Sequence, residues 1–176
     1  GVPIIDEQHQ ELVRIINQLA SQLAEGLEWD RFSLVFKRLT DYARMHFATE
    51  EDLMQRNGIP SALSAAHYEA HGRFVEEILL MKEEAARDPQ RAGDALVRYL
   101  IGWLTFHILG SDQQLGAQLQ AAQRGEDPTL VGAPFQRDER TSLLVDALDG
   151  LGQVLISKNR ALQQCRVENG VLRAQI

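Results

Sequence analysis

Apolar residues recur every three or four positions through the first two thirds of the chain, which is the spacing of one face of an α-helix. Four such runs follow one another, over residues 9–23, 32–53, 63–85 and 96–108. Alternating apolar runs joined by hairpin signals are lacking. The pattern predicts an all-α domain over 1–119, an up-down-up-down four-helix bundle with helices of about 20–30 residues joined by short turns.

Prolines and capping residues predict where these helices begin and end. Asp30 is a plausible N-cap for the second helix. Asn57 or Gly58 can adopt the left-handed conformation that closes it, and Pro60 cannot prolong it. Asp88 and the proline after it predict the start of the fourth helix.

Beyond residue 120 the pattern changes. Glycine and proline among polar residues predict a linker over 120–137. From 138 to 176 the apolar stripe follows a strict heptad, which predicts a signalling coiled-coil helix. Its seam positions are Leu144, Leu148, Leu151, Leu155, Lys158, Leu162, Cys165, Asn169, Leu172 and Ile176.

A buried asparagine at a seam position, here Asn169, is a device that fixes register in two-stranded coiled coils, so we expect a parallel homodimer. Cys165 would then be either a small reduced core residue or one half of an intersubunit disulfide. The alternative is a single amphipathic helix lying on the bundle. Because the heptad runs up to Ile176, we expect a longer protein with a further domain.

Composition narrows the classes of partner. The chain has 18 basic and 25 acidic residues, for a net charge of −7, which makes nucleic acid an unexpected partner. No apolar run approaches the roughly 20 residues that cross a bilayer, and no signal peptide opens the chain, so we expect no membrane partner. A single cysteine fits a reducing, cytoplasmic location.

All five histidines of the chain fall on the core-facing positions of the predicted bundle. They are His9, His46, His67, His71 and His107. One buried histidine is ordinary, but each imidazole buried without a partner costs roughly 1–3 kcal/mol. Five together predict that a common ligand binds them.

The spacing of these residues indicates a metal site. His67 and His71 are four apart, so their rings share one helix face and can reach one cation. His46 and Glu50 have the same spacing, and the carboxylate can bridge two ions. His107 and Asp112 are five apart, which a regular helix cannot aim at one place.

Gly110 and Ser111 lie between His107 and Asp112 and predict a local π-type turn that swings the aspartate inward. With His9 from the first helix, five imidazoles and two carboxylates exceed what one tetrahedral zinc needs and are too rich in nitrogen for calcium or magnesium. Two metal ions are required, and iron suits this set of ligands.

The same residues resemble bacterial hemerythrin domains over residues 3 to about 119. The motifs are Ile5-Asp6-Glu7-Gln8-His9 with Leu12, His46-x-x-x-Glu50-Glu51, His67-x-x-x-His71, and His107-x-x-x-x-Asp112. The resemblance implies two oxo- or hydroxo-bridged non-haem iron ions. It assigns His67, His71 and His107 to one iron, His9 and His46 to the other, and Glu50 and Asp112 to both. O2 would bind at the open position of the two-histidine iron.

An oxygen site of this kind needs apolar walls that exclude water. Phe47, Trp103, Leu104 and Ile108 lie near the ligands in sequence and are candidates for these walls. Each of them could equally be ordinary core packing.

Residues 103–113 resemble hemerythrin domains found in front of GGDEF diguanylate cyclases, although no GGDEF motif occurs in this chain. The hypothesis is an oxygen or redox sensor that controls an attached output domain through a dimeric coiled coil. Alternatives are an oxygen carrier or storage protein, a di-iron oxidase, peroxidase or nitric oxide reductase, and a metal-free helical module. The absence of any Glu-x-x-His pair argues against a di-iron carboxylate oxidase.

Overall fold

The computed structural model describes residues 2–26 and 28–131, together with Ser157, Ala161, Gln164 and Cys165. The helices are α1 (Pro3–Glu25), α2 (Trp29–Arg56), α3 (Ser61–Ala85), α4 (Pro89–Phe106), a π-helix (His107–Asp112) and α5 (Gln113–Gln123), followed by one 3-10 turn (Pro128–Leu130). None of the described residues lies in a β-strand. The predicted all-α fold is confirmed.

The helices pack in a closed square. α1 contacts α2 and α4, and α3 contacts the same two helices. Neighbours along the chain are therefore neighbours in space, and the contact between α1 and α4 closes the ring. The arrangement is the predicted up-down-up-down bundle, in which short connections force consecutive helices to run antiparallel.

The predicted helix ends agree with the structure except at one position. Asp88 caps α4 by accepting a hydrogen bond from the Arg91 backbone N–H at 3.0 Å. Gly58 has φ 66°, the left-handed conformation expected after α2. The prediction that Asp30 caps α2 is wrong.

Helix α2 begins at Trp29, with Glu28 as its N-cap, and Asp30 lies in the first turn. The ring of Trp29 stacks on Phe32, with 6.1 Å between ring centroids, which adds an apolar contact to the first turn. From that position the negative carboxylate of Asp30 still interacts favourably with the positive end of the helix dipole.

Two apolar clusters lie on either side of a polar layer. The larger contains Phe32, Phe36, Leu39, Ile78, Leu96 and Leu100. The smaller contains Ile5, Met54, Ile59, Leu115 and Leu119. Along the chain, the histidines lie between residues of one cluster and residues of the other, as His9 lies between Ile5 and Leu12 on α1. The bundle core is therefore apolar at both ends and polar in the middle.

The structure describes only part of the C-terminal third, so most predictions for that region stay predictions. α5 runs through Gln123, three residues past the start of the predicted linker at 120. The coiled coil and its dimer lie outside the described residues, apart from four helical, exposed positions that include Cys165. Through the part of the chain that is described, no helix has both the length and the apolar character needed to span a membrane.

Replacing a buried residue of α3 tests the packing. Ile78 is fully buried, so Ile78→Ala leaves a cavity and should lower the free energy of unfolding by about 2–5 kcal/mol. Leu80, on the same helix, is 59% exposed, and Leu80→Ala should change the free energy by less than about 0.5 kcal/mol. Urea unfolding followed by circular dichroism measures both, and equal losses would contradict this core.

Candidate metal centre

The structure brings all seven predicted ligands together in the polar middle layer. They are His9, His46, Glu50, His67, His71, His107 and Asp112, and every one is buried. His46 and Glu50 are fully buried. The residues come from α1, α2, α3 and the π-helix, so each wall of the bundle supplies at least one of them.

The spacing of His107 and Asp112 is accommodated as predicted. A π-helix spans His107–Asp112, and its wider turn puts residues five apart on the same face. The Nε2 atom of His107 lies 3.1 Å from Oδ1 of Asp112. The predicted π-type turn is confirmed, and it is what turns the aspartate toward the core.

The histidines fall into two groups around the carboxylates. One group, the histidine trio, consists of His67, His71 and His107 with Glu50. The other, the histidine pair, consists of His9 and His46 with Glu50 and Asp112. Within each group the potential ligand atoms all lie within 4.8 Å of one another. Each group has the size and donor set of a site for one metal ion.

Glu50 turns one oxygen toward each group. Its Oε2 lies 3.2 Å from Nε2 of His67 and 3.1 Å from Nε2 of His71. Its Oε1 lies on the other side, 3.7 Å from Nε2 of His46.

Asp112 has the same two-sided geometry. Its Oδ1 lies 3.1 Å from Nε2 of His107 and 3.4 Å from Nε2 of His67. Its Oδ2 lies 2.9 Å from Nε2 of His9. Both carboxylates therefore connect the trio to the pair, as bridging ligands do.

Several of these buried atoms have no hydrogen bond of their own. They are His9 Nε2, His46 Nε2, Glu50 Oε1 and both carboxylate oxygens of Asp112. Nε2 of His71 and Nε2 of His107 also face each other at 3.1 Å. Buried polar atoms left unsatisfied are costly, and lone pairs that converge are what a cation requires. The residues present fit two metal ions.

Electrostatics keep the carboxylates in the ligating form. Burial raises the pKa of Glu50, but the nearby imidazoles of His107, His67 and His71 outweigh it and hold that pKa well below its usual range. Burial likewise opposes ionisation of Asp112, but the nearby imidazoles of His67 and His9 lower its pKa. Both groups are anionic at neutral pH.

The imidazoles differ from one another in pKa. Burial lowers the pKa of His46 to about 4, so its ring is neutral at pH 7 and its nitrogen is available to a metal. Burial also lowers the pKa of His107. His67 behaves in the opposite way, because Asp112 and Glu50 outweigh the effect of burial and raise its pKa to about 9. A cation binding there displaces a proton.

Two further residues contact the Nδ1 atoms of two imidazoles, on the side away from the centre. Sequence reasoning gave neither of them a role. Gln8 Oε1 lies 3.0 Å from Nδ1 of His46, and Glu51 Oε1 lies 3.0 Å from Nδ1 of His71. Both partners sit on a different helix from the histidine they contact, so helical spacing alone does not reveal them. The signal available in sequence was a polar side chain directly beside a ligand in each motif.

The four predicted pocket residues lie on two sides of the centre. Phe47 stacks on His71 with 3.9 Å between ring centroids, and Trp103 stacks on His107 at 4.1 Å. With Leu104 they border an apolar cavity of only about 10 Å³. Ile108 instead lines a separate cleft.

That cleft is the larger opening beside the centre. Its volume is about 440 Å³, it is partly open to solvent, and its walls come from the first turns of α1, the π-helix and α5. His9 and Asp112 form part of its lining, together with Ile5 and Ile108. The histidine pair is thus the side of the centre that a small molecule can approach.

Comparison with known proteins points in the same direction. Residues 1–119 match the family described as Hemerythrin HHE cation binding domain. The chain is 32% identical over 124 residues to a bacteriohemerythrin of Stenotrophomonas maltophilia, covering 69% of this chain and 76% of that protein.

Other relatives are similar at the same level. A bacteriohemerythrin of Pseudomonas aeruginosa is 34% identical over 114 residues, which is 64% of this chain and 71% of that protein. A hemerythrin-like protein of Naegleria gruberi is 32% identical over 110 residues, or 62% of this chain and 78% of that protein. No solved structure matches the chain.

Removing metal should destabilise the protein. Metal that binds the native state and not the unfolded state stabilises the protein by about 4 kcal/mol when the free metal concentration is a thousand times the dissociation constant. At about 2–4 °C per kcal/mol for a chain of this size, a chelator should lower Tm by roughly 10 °C, and adding metal back should restore it. Calorimetry measures the shift.

The matched variants separate this effect from general destabilisation. Glu50→Ala removes a carboxylate that faces both groups, so the chelator should change its Tm little. Glu69→Ala removes an exposed carboxylate paired with Arg73, and it should respond to the chelator as the original protein does. A chelator effect that persists in Glu50→Ala would contradict the centre.

Proposed function

The chain belongs to the hemerythrin family, and from that premise we propose that it binds two iron ions and, at one of them, O2. Hemerythrin domains bind O2 and are typically not enzymes. The observation that carries the proposal is the two-sided geometry of Glu50 and Asp112, each with one oxygen toward the histidine trio and the other toward the histidine pair.

In this proposal the trio would hold one iron and the pair would hold the other, and Glu50 and Asp112 would bind both, together with an oxo or hydroxo group. Imidazole nitrogen with carboxylate oxygen is a donor set that iron accepts on bundle helices. Two anionic carboxylates offset part of the charge of two divalent ions in a buried place.

O2 binding is assigned to the side of the histidine pair. The pair offers one imidazole fewer than the trio, and the cleft reaches His9 and Asp112. When bound, a pair of ferrous ions supplies the two electrons that O2 takes up. The chain contributes an apolar surround that limits water, and Ile108 in the cleft wall is the predicted pocket residue with the most direct access.

The predicted pocket also includes Phe47, Trp103 and Leu104. In the proposal these residues pack behind the trio and keep that face dry, since the first two stack on ligand imidazoles and all three border a cavity too small for a water molecule to enter comfortably.

A sensor role is the finer part of the proposal. His107 and Asp112 lie in the π-helix between α4 and α5, so two ligands belong to the helix that leads toward the C-terminal third. A change at the centre would act on that helix, then on a dimeric coiled coil over 138–176, and then on an output domain such as a diguanylate cyclase. The small number of cysteines supports a reducing, cytoplasmic location.

A carrier or storage role is the second candidate. All seven proposed ligands lie between residues 9 and 112, so the bundle carries the whole centre without the C-terminal third. The oligomeric state and the behaviour of the heptad segment separate the two roles.

The iron and oxygen proposal predicts two irons per chain and a visible absorption band that appears in air and disappears when oxygen is removed. His107→Ala should bind at least one iron fewer and lose the band. Leu109→Ala changes an exposed residue of the same π-helix, and it should keep both irons and the band. Iron analysis with anaerobic and aerated spectra measures these outcomes. Two irons in His107→Ala would refute the ligand assignment.

The coiled-coil proposal predicts that the full chain is a dimer. Leu151→Asp places a charge on the heptad seam and should convert the dimer to a monomer. Gln153→Asp adds the same charge two residues away, off the seam, and should leave the dimer intact. Light scattering over a range of concentrations measures both. A monomer at every concentration in the unaltered chain would exclude this route of signalling.

A further inference from the structure

The two halves of the centre differ in the group that accepts a hydrogen bond from Nδ1 of a histidine. In the trio, Nδ1 of His71 donates a hydrogen bond to the carboxylate of Glu51 at 3.0 Å. In the pair, Nδ1 of His46 donates to the side-chain amide oxygen of Gln8, also at 3.0 Å. The hydrogen bonds have the same length, but one acceptor is charged and the other is neutral.

The orientation of each acceptor is determined by its surroundings. Gln8 is buried, and its amide nitrogen donates to Oγ1 of Thr49 at 3.1 Å, which leaves the amide oxygen for His46. Thr49 in turn donates to the backbone carbonyl of Met45 at 2.9 Å. Glu51 has a partly exposed side chain that reaches from α2 across to His71 on α3.

These contacts fix which ring nitrogen faces the centre. A proton on Nδ1 leaves Nε2 with its lone pair directed inward, toward the other ligands. Nε2 of His71 lies 3.1 Å from Oε2 of Glu50, and Nε2 of His46 lies on the opposite side of the same carboxylate. Both imidazoles are therefore held as ligands by residues that do not themselves face the centre.

The charge of the acceptor changes the ligand. A carboxylate draws the Nδ1 proton more strongly than an amide does, because charge-assisted hydrogen bonds are roughly twice as strong as neutral ones. The imidazole then gains negative character and becomes a more basic ligand. A metal ion bound to His71 is accordingly better supported in its higher oxidation state than one bound to His46.

We propose that Glu51 and Gln8 are positioning residues that make the two iron positions unequal, so that the iron of the trio is oxidised at the lower potential and the iron of the pair stays ferrous longer. This inference rests on the proposed two-iron function. It adds an order to that function: of the two electrons that a pair of ferrous ions can supply, the one from the trio leaves at the lower potential, and the one from the position reached by the cleft leaves at the higher.

The experiment is spectroelectrochemistry of the iron-loaded full chain with two exchange variants. Glu51→Gln keeps a hydrogen-bond acceptor for His71 but removes the charge, and it should raise the lower of two separate one-electron potentials. Gln8→Glu adds the charge behind His46 and should lower the higher potential. Each change should reduce the difference between the two one-electron potentials.

A neighbouring residue provides the control. Asp52 follows Glu51 in the chain, but its carboxylate pairs with Arg56 at 2.8 Å, on an exposed face. Asp52→Asn changes the net charge by the same amount as Glu51→Gln, and it should leave both potentials unmoved. Circular dichroism and iron content establish that each variant is folded and loaded before its potentials are compared.

Two readouts distinguish a charge effect from a merely structural one. Glu51→Gln should weaken one of two metal-binding steps by about 10–100-fold, as loss of such an outer partner does. In the zinc-loaded full chain, the nitrogen NMR shift of His71 Nδ1 should move toward that of a neutral hydrogen bond. Glu51→Ala should show changes at least as large.

The outcomes separate the inference from the function beneath it. Fewer than two irons per unaltered chain would overturn the proposed function and the inference together. Two irons with potentials in Glu51→Gln equal to those of Asp52→Asn would overturn the inference alone. A Glu51→Ala variant that shifts while Glu51→Gln does not would assign Glu51 a purely structural role.

Discussion

The structure depends on burying two carboxylates in the middle of a helical bundle. A carboxylate taken out of water is tolerated only where positive charge or hydrogen-bond donors surround it. Glu50 and Asp112 meet this condition because five imidazoles converge on them from α1, α2, α3 and the π-helix. The two apolar clusters on either side provide the burial that keeps the helices aligned while the polar layer between them remains short of hydrogen bonds. The layer therefore fits metal ions, whose charge would supply the attraction that it lacks.

Much of this arrangement follows from the spacing of residues along single helices. Helical periodicity predicts the bundle, and the five-residue step from His107 to Asp112 predicts a π-type turn, because both are properties of one segment. The start of α2 at Trp29 differs from the prediction because no side chain caps this helix. Glu28 is the N-cap without a side-chain hydrogen bond, so the capping preference of aspartate does not mark the boundary. Gln8 and Glu51 were overlooked for a different reason. Each contacts a histidine on another helix, and the relative rotation of two packed helices cannot be predicted from the periodicity of either one.

The centre has two unlike faces. Aromatic rings of Phe47 and Trp103 lie flat against two imidazoles of the trio and leave almost no space beside them. The face of the pair meets a cleft that solvent can enter. Packing, the number of imidazoles and the charge behind the ligands all distinguish the same two sides. The seven clustered residues therefore form a centre with one closed face and one open face.

The π-helix can be regarded as a dislocation in an otherwise regular helix. It accommodates one extra residue while α4 and α5 on either side keep their ordinary helical repeat. In an ideal α-helix, side chains five residues apart point about 140° away from each other, and the wider turn of the π-helix brings His107 and Asp112 onto one face. A local defect in one helix thus aims both side chains at the same place, and α4 and α5 continue on either side of it without a break.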